Sequence, residues 1–215
     1  MAKRPLDVSA ADPKAVPSAA VLPRSALRLR PSAGSIIRRP LKPVLTGPKG
    51  KQRPRALLRH ERRPLDAYFM KVALREAARA ARRGEVPVGA VLVWHNRIIA
   101  RAGNRVEEKG SALAHAELLV LEAGARQLGW RLCETALYVT LEPCAMCTGA
   151  LLNARVGRLV FGTPDPARGC CGSACDLTRL PNLFARVRVA RPVLSKRCAA
   201  LLRTFFQQRR AQKRK

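Results

Sequence analysis

Residues 136–147 of this 215-residue chain read Ala-Leu-Tyr-Val-Thr-Leu-Glu-Pro-Cys-Ala-Met-Cys. The run over residues 136–141 is short, apolar and rich in strand-forming side chains, which predicts a buried strand that stops at Glu142-Pro143. After the proline, residues 144–153 have a helical composition. The stretch therefore predicts a strand that turns directly into a helix and carries two cysteines at the start of that helix.

Those two cysteines and a histidine form a set of metal-ligand residues. Cys144 and Cys147 are one helical turn apart, where both sulfur atoms can reach one ion and the helix dipole favours the thiolate. His115 opens a second predicted helix, residues 116–125, that ends at Gly124 or soon after it. Catalytic zinc sites keep three protein ligands and leave a fourth position to water, and two cysteines with one histidine are a known combination. A redox dithiol and a structural zinc knuckle are the alternatives for the cysteine pair alone.

Glu117 stands two residues after the histidine and is the right kind of group to move protons at such a metal. The alternative for Glu117 is a capping or surface carboxylate in the first turn of a helix. Three further cysteines in the glycine-rich loop 163–176 have no histidine or second Cys-x-x-Cys pair nearby. We therefore interpret them as packing or loop residues; they are Cys170, Cys171 and Cys175.

The sequence contains two motifs: His115-Ala116-Glu117 and, over residues 137–151, Leu-Tyr-Val-Thr-Leu-Glu-Pro-Cys-Ala-Met-Cys-Thr-Gly-Ala-Leu. Together these motifs closely resemble those of the zinc-dependent cytidine and deoxycytidylate deaminase superfamily. Within it, the sequence is similar to the branch that deaminates adenosine in bacterial tRNA. The resemblance continues in residues 85–91, in Asn104-Arg105 and after Val160-Phe161-Gly162. It covers residues 66–212 and implies a three-layer α/β/α cytidine deaminase-like fold with a five-stranded mixed sheet.

The resemblance also implies an activity, which is the zinc-dependent hydrolysis of adenosine to inosine at the wobble position of a tRNA anticodon. An arginine tRNA is the typical substrate, and a loop nucleotide is already unpaired, so its extrusion costs little. By the same resemblance His115, Cys144 and Cys147 hold one zinc ion per subunit, and Glu117 transfers protons between water, a ring nitrogen and the leaving ammonia. The family further implies a homodimer and a cytoplasmic, bacterial enzyme.

Five residues are expected to bind the RNA. Asn104 follows a predicted strand and could be a simple turn residue, but the resemblance favours a contact with the base. Asp165 is implied to lie against the sugar of the flipped nucleotide. Residues 195–215 predict a helix with eight Lys or Arg and no acid, which suits phosphate contact beside aromatic stacking. On that helix the family pattern implies three contacts: Phe206, Arg209 and Arg210.

The remaining pattern predicts alternating strands and helices, which is typical of an α/β sheet covered on both faces. Asp66 is predicted to cap a first helix that stops at Gly84. Strands are predicted at 86–94, 97–102, 158–162 and 185–190, with a hairpin at His95-Asn96. The C-terminal helix is expected to turn four residues inward: Ala199, Leu202, Phe205 and Phe206.

Composition separates a basic tail from this domain. Residues 1–64 hold ten of the 16 prolines, no aromatic residue, and sixteen Lys or Arg against three acids. We predict a disordered extension there and a deaminase domain over 65–215. The extension is either without a defined role, an electrostatic aid in holding RNA, or an organelle transit peptide. No apolar run is long enough to span a bilayer, and seven cysteines without a secretory signal favour a reducing compartment.

The net charge of +28 points to a polyanionic partner, with nucleic acid ahead of an acidic membrane. Two other functions stay open at this stage. A superfamily deaminase acting on a free base or nucleotide, such as guanine or cytosine, would share the zinc set without needing the basic helix. A non-catalytic zinc protein that binds RNA would share the charge without needing Glu117. By the resemblance, zinc is the predicted cofactor and tRNA is the predicted partner.

Overall fold

The computed structural model describes residues 59–180, 186–190 and 192–214, so most of the predicted extension lies outside the described residues. The elements in chain order are α1 (Arg59–Arg82), β1 (Gly89–Trp94), β2 (Arg97–Gly103), α2 (Val106–Lys109), α3 (Ala116–Leu128), β3 (Thr135–Leu141), α4 (Ala145–Asn153), β4 (Arg158–Thr163), a 3₁₀ turn (Leu177–Arg179), β5 (Arg188–Val189) and α5 (Ser195–Gln212). In these ranges no helix has the length and apolar character needed to cross a bilayer.

The strands form one mixed sheet in the order β2-β1-β3-β4-β5. β1 runs antiparallel to both of its neighbours, whereas β3, β4 and β5 are parallel. His95 and Asn96 join β1 to β2 with φ of 46° and 62°, the two positive values that a tight hairpin turn of matching twist requires. The predicted five-stranded mixed sheet and its hairpin are confirmed.

Alternation along the strands divides the interior into two layers. Leu137 and Val139 on β3 point to one side, where they pack in a core formed with α3 and α4. Tyr138, between them, points to the other side and packs with Phe69 of α1 and Cys198 of α5. Because both faces of the sheet are covered by helices, the fold is the three-layer α/β/α arrangement that the sequence predicts.

Asp66 does not cap the first helix, since α1 begins at Arg59 and Asp66 lies within it. Its buried carboxylate accepts two hydrogen bonds from the Arg158 guanidinium, both of 2.7 Å, and one of 2.7 Å from the Tyr138 hydroxyl. Arg158 stands 92 residues further along the chain, so local sequence could not reveal this role. The aspartate ties α1 to β3 and β4.

Gly124 lies within α3, and its place is explained by packing rather than by a helix end. α3 continues past Gly124 to Leu128, and Gly129 with φ of 83° ends it. A Cβ on Gly124 would lie 2.2 Å from Cδ2 of Leu92, so Gly124 permits α3 to lie close against β1. The predicted end of this helix, at Gly124 or soon after it, agrees with the observed end at Leu128.

The C-terminal part is confirmed as a helix but differs in detail. Cys198 and Phe205 are the buried residues of α5, whereas Phe206, expected to face inward, is 42% exposed. β5 is only Arg188–Val189, shorter than the strand predicted for 185–190, and residue 185 lies outside the described residues. The prediction failed at Phe206 because the side of α5 that carries it borders a pocket instead of the core.

Candidate metal centre and active site

The sheet topology brings the polar residues to one edge. β2 and β3 both run antiparallel to β1, and β4 runs parallel to β3, so β2, β3 and β4 end at the same edge of the sheet. Asn104 follows β2 directly, Glu142 follows β3, and Asp165 comes soon after β4. The carboxyl ends of neighbouring parallel strands are the usual place for a binding crevice in α/β sheets.

Three of the predicted ligands meet at this edge because two helices start there. His115 is the residue before α3 and Cys144 the residue before α4, and both have extended backbone conformations. Cys147 lies in the first turn of α4, and α3 packs beside α4. The strand-to-helix turn at Pro143 thus sets the two sulfur atoms next to the imidazole.

The distances fit a single small cation. Nδ1 of His115 is 3.9 Å from Sγ of Cys144 and 3.5 Å from Sγ of Cys147. Around a tetrahedral zinc, bond lengths of about 2.3 Å to sulfur and about 2.0 Å to nitrogen put such atoms about 3.6 Å apart. In the part of the chain that the structure describes, these residues are the only three whose ligand atoms converge in this way. The predicted zinc set therefore fits the geometry.

The ligand side chains compete for protons in the way that a metal-binding set does. Hydrogen bonds with Cys147 and His115 lower the pKa of the Cys144 thiol to about 3. The same hydrogen bond and burial raise the pKa of Cys147, because its proton is held against the Cys144 sulfur. A hydrogen bond with Cys144 also raises the pKa of His115. The three side chains thus lie close together, and a bound cation would displace their protons and stabilise the thiolates.

Glu117 is only 4% exposed and lies beside this set. Burial raises the pKa of its carboxyl. Among the side chains that the structure describes, its Oε2 is the one buried polar atom without a hydrogen-bond partner. Buried polar atoms are nearly always paired, so an unpaired carboxylate oxygen at this place indicates a partner from outside the protein, such as water or substrate.

A pocket of about 730 Å³ opens above the cluster. Cys147 is fully buried beneath it and does not line it. All other residues that the sequence singled out do line it: Asn104, His115, Glu117, Cys144, Asp165, Phe206, Arg209 and Arg210. The structure therefore brings the predicted proton-transfer residue, two predicted ligands and the five predicted RNA contacts to one cavity.

Several residues that line the pocket were not predicted from the sequence, and two of them are basic. Arg168 and Lys213 both border the pocket. Lys213 follows Arg209 and Arg210 by three or four residues, the helical spacing that could have indicated it. Arg168 lies in the loop after β4, and its charge lowers the pKa of His115, although hydrogen bonding with Cys144 has the larger and opposite effect.

The loop after β4 is held by a buried carboxylate. Glu142, 2% exposed, accepts hydrogen bonds from the backbone N–H groups of Asp165 (3.1 Å), Cys171 (2.9 Å) and Ser173 (3.1 Å). Asp165 itself accepts from the N–H groups two and three residues later and so starts a turn. Of the three loop cysteines Cys171 and Cys170 are buried and Cys175 is exposed, as packing and loop residues would be.

The opposite wall of the pocket is formed by α5. Phe205 is buried and its ring meets that of Phe206 edge to face, with centroids 5.4 Å apart. The Arg209 guanidinium lies 5.9 Å from the Phe205 ring, within the range of a cation–π contact. The exposed ring of Phe206 and two further cations of this part of the chain, Arg210 and Lys213, thus border the same pocket.

Comparison with known proteins gives a consistent result. The family model of the cytidine and deoxycytidylate deaminase zinc-binding region matches residues 63–163. The chain is 44% identical over 149 residues to the tRNA-specific adenosine deaminase of Bacillus subtilis, covering 69% of this chain and 92% of that protein. A solved structure described as a tRNA:A34 deaminase that edits A to I at the wobble position is 42% identical, with a TM-score of 0.61; the match covers 63% of this chain and 99% of the other.

A third relative shares the fold alone. The guanine deaminase of Nitrosomonas europaea has a TM-score of 0.52 at 23% identity, and the match covers 64% of this chain and 82% of the other. The same arrangement of sheet and helices therefore occurs with a different substrate, and the residues around the pocket must account for what is bound.

Proposed function

We propose, from the premise that this chain belongs to the cytidine and deoxycytidylate deaminase family and to its tRNA-specific adenosine deaminase branch, that it hydrolyses adenosine to inosine at the wobble position of a tRNA anticodon. The observation that carries the proposal is the composition of one pocket. The His-Cys-Cys cluster and Glu117 form its floor, while the basic and aromatic residues of α5 form its wall. Deamination of a free base requires only the metal ligands and Glu117, whereas binding of an RNA loop also requires the basic and aromatic residues of α5.

Zinc fits the ligand set by distance and by donor chemistry, and His115, Cys144 and Cys147 would hold it. When bound, zinc lowers the pKa of a coordinated water toward about 7, so that hydroxide is available at neutral pH. The two cysteine thiolates offset the charge of the ion, which makes a nearby carboxylate more important.

Glu117 would supply the proton transfers. Its unpaired Oε2 would accept a proton from the attacking water and pass it to a ring nitrogen of adenine. The carboxylate would then take the second proton of that water, from the hydroxyl now bonded to C6, and deliver it to the departing amine, which leaves as ammonia. The balance is adenosine plus water giving inosine plus ammonia. Burial raises the pKa of Glu117, which makes its carboxylate a better proton acceptor than an exposed one.

The pocket walls would bind the nucleotide and its neighbours. Asn104 and Asp165 line the pocket; Asn104 would contact the extruded nucleotide, and Asp165 would face its sugar. Phe206 offers a ring for stacking, and Arg209 and Arg210 offer charge for the adjacent phosphates. An anticodon loop presents unpaired bases and closely spaced phosphates, which match these groups.

Several finer points belong to the same proposal. We expect an arginine tRNA as substrate, a homodimer in solution, a cytoplasmic location and a deaminase domain that comprises residues 65–215. The homodimer is tested by light scattering of the purified chain, which should give twice the mass of 23.6 kDa. A monomeric mass at micromolar concentration would contradict the dimer without affecting the proposed chemistry.

The deciding experiment is incubation of the zinc-loaded protein with an arginine tRNA transcript that carries a wobble adenosine. Inosine is measured at that position by nucleoside mass spectrometry, with Glu117→Ala as the inactive control. Adenosine, cytidine and guanine are offered separately as free substrates. We expect inosine at the wobble position alone; deamination of a free base or nucleoside in place of the tRNA would overturn the substrate and keep the zinc chemistry.

A further inference from the structure

Glu85 lies in the turn between α1 and β1 and is only 1% exposed. Its Oε2 accepts a hydrogen bond of 3.0 Å from Nδ2 of Asn104, and its Oε1 accepts one of 2.9 Å from the backbone N–H of Glu108. Among the described residues no lysine, arginine or histidine forms an ion pair with it. Glu85 is thus a buried carboxylate that uses its oxygens on neighbouring parts of the pocket wall.

Such a carboxylate is costly to bury and is retained only where its hydrogen bonds are made. An apolar side chain would fill the same space without that cost. The two groups that Glu85 holds are Asn104 and the short helix α2, and both border the pocket. Arg83 holds Asn104 from a second side, since its guanidinium donates to the Asn104 backbone carbonyl over 3.1 Å.

The chemistry of the pair fixes the orientation of the amide. A carboxylate accepts hydrogen bonds and has none to donate, so Asn104 must turn its NH₂ group toward Glu85. The carbonyl oxygen then occupies the opposite end of the amide, and no hydrogen bond engages it within the described residues. An asparagine without such a partner can present either end to a ligand, because its oxygen and nitrogen are nearly equal in shape.

We propose that Glu85 is a positioning residue that locks the Asn104 amide in one orientation, so that the pocket always presents the same acceptor to a donor group of the bound nucleotide. Glu85 lines the pocket, but it is 1% exposed and both of its oxygens are already engaged, so it acts through Asn104. Its second oxygen keeps α2 against the same wall. The inference deepens the proposed function, on which it rests for the identity of the nucleotide.

Substitution by glutamine separates orientation from packing. Glu85→Gln keeps the size of the side chain, but its amide can turn either end toward Asn104, which frees Asn104 to flip. We expect Glu85→Gln to lower kcat/KM for the tRNA by about 10-fold to 100-fold, mainly through KM, because a misoriented amide weakens substrate and transition state alike. The matched control is Glu76→Gln, which removes a carboxylate of α1 that is 8% exposed and does not line the pocket.

A double-mutant cycle tests whether Glu85 acts through Asn104. The four proteins are the wild type, Glu85→Gln, Asn104→Ala and the double variant, compared by kcat/KM and by the Kd for an anticodon stem-loop RNA. We expect Glu85→Gln to have less than about a 3-fold effect once Asn104 is alanine. Effects that multiply, or a Glu85→Gln protein that behaves as wild type, would overturn the inference.

A second variant covers the case in which Glu85→Gln does not fold. In the pair Glu85→Gln with Asn104→Asp the donor and acceptor are exchanged, and the free carboxylate oxygen takes the place of the amide carbonyl. We expect this pair to bind the stem-loop at least about 10-fold more tightly than Asn104→Asp alone, in which two carboxylates would face each other. No gain over Asn104→Asp would count against the positioning role.

An error in the proposed substrate can be distinguished from an error in the role of Glu85. If the wild-type protein forms no inosine in tRNA, the deaminase substrate is wrong, whatever the cycle shows. The Kd cycle does not require turnover, so it still decides whether Glu85 and Asn104 act as a unit. Coupled effects on Kd would then support the positioning role, and independent effects would overturn it.

Discussion

At the residue scale, the structure separates three buried glutamates by what their oxygens contact. Glu85 and Glu142 have every oxygen engaged, the first with Asn104 and α2 and the second with the loop after β4. Glu117 has an oxygen with no partner. Two of the carboxylates therefore shape the pocket, and the third is free to react. The sequence indicates the role of Glu117 by its spacing from His115, but it does not reveal the roles of Glu85 and Glu142.

Glu117→Gln should lose activity without losing stability. The amide cannot relay protons, so we expect kcat to fall by at least about 10²-fold to 10⁴-fold in tRNA deamination. The buried carboxylate raises the free energy of the folded state, as its raised pKa shows, so the free energy of unfolding of the variant should equal or exceed that of the wild type. Urea unfolding and zinc content by atomic emission accompany the rate measurement. A large loss of stability or zinc would assign Glu117 a structural role.

At the scale of the elements, buried polar contacts hold helices against the sheet, and Asp66 of α1 forms one such contact with β3 and β4. It accepts from Arg158 and Tyr138, whose side chains come from two strands. Burial raises the pKa of Tyr138, and the hydrogen bond with Asp66 raises that of Arg158. Both residues are protonated at neutral pH already at their ordinary pKa values, and the raised values extend that state to higher pH.

Asp66→Asn should destabilise the domain by about 3 kcal/mol, because it leaves the Arg158 guanidinium buried without an anion. The matched control is Glu122→Gln, which breaks the exposed pair with Arg126 on α3 and should cost less than about 1 kcal/mol. Urea denaturation at neutral pH measures both. Equal effects of the two substitutions would show that the Asp66 contact contributes no more than a surface pair.

Gly162→Ala should displace α5 from the sheet. A Cβ at this position of β4 would lie 2.4 Å from Sγ of Cys198 on α5 and 2.5 Å from the Thr140 backbone oxygen, so one element has to move. Because α5 carries the basic wall, we expect the Kd for tRNA to rise at least about 10-fold while zinc binding is retained.

The control for this change is Gly149→Ala on α4, where an added Cβ meets nothing within 4 Å. In a helix this substitution should leave stability unchanged or raise it by up to about 1 kcal/mol. Zinc content and tRNA affinity, the latter by fluorescence anisotropy, are compared for both variants. Unchanged tRNA affinity in Gly162→Ala would separate α5 from RNA binding.

At the scale of the whole molecule, charge governs the encounter with substrate. The chain carries 42 Lys and Arg against 14 Asp and Glu, and four basic side chains border the pocket: Arg168, Arg209, Arg210 and Lys213. Binding of a polyanion to such a surface releases counterions, so its strength depends on salt. Chemistry at the pocket floor is shielded by burial and should depend on salt far less.

Replacing Arg209 and Arg210 together by alanine should weaken tRNA binding and reduce its salt dependence. Each lost phosphate contact lowers the slope of log K against log salt by about 0.7 for single-stranded RNA, hence by about 1.4 for the pair. The control is Arg126→Ala, an exposed arginine of α3 that does not line the pocket. Anisotropy titrations from low to moderate salt measure the slopes. An unchanged slope in the double variant would mean that these arginines do not contact phosphate.

Most of the elements and the chemistry of the site are predictable from the sequence, because both depend on local patterns. Strand β3 and helix α4 follow from composition and from Pro143, and His115, Cys144 and Cys147 follow from residue type and spacing. These predictions needed no knowledge of distant contacts. The fold class was equally predictable, since alternating strands and helices leave few ways to cover a sheet.

The residues that act on distant parts of the chain are revealed only by the packing of the elements. Asp66 looked like a helix cap, and Gly124 marked a helix that ends there or soon after, but the place of each residue is explained by an element far along the chain. The role of Glu85 depends on β2, which brings Asn104 beside it. The exposed Phe206 borders a pocket that a local sequence pattern does not reveal. The physical reason is that burial and hydrogen-bond partners are set by packing between elements, which a local sequence pattern does not contain.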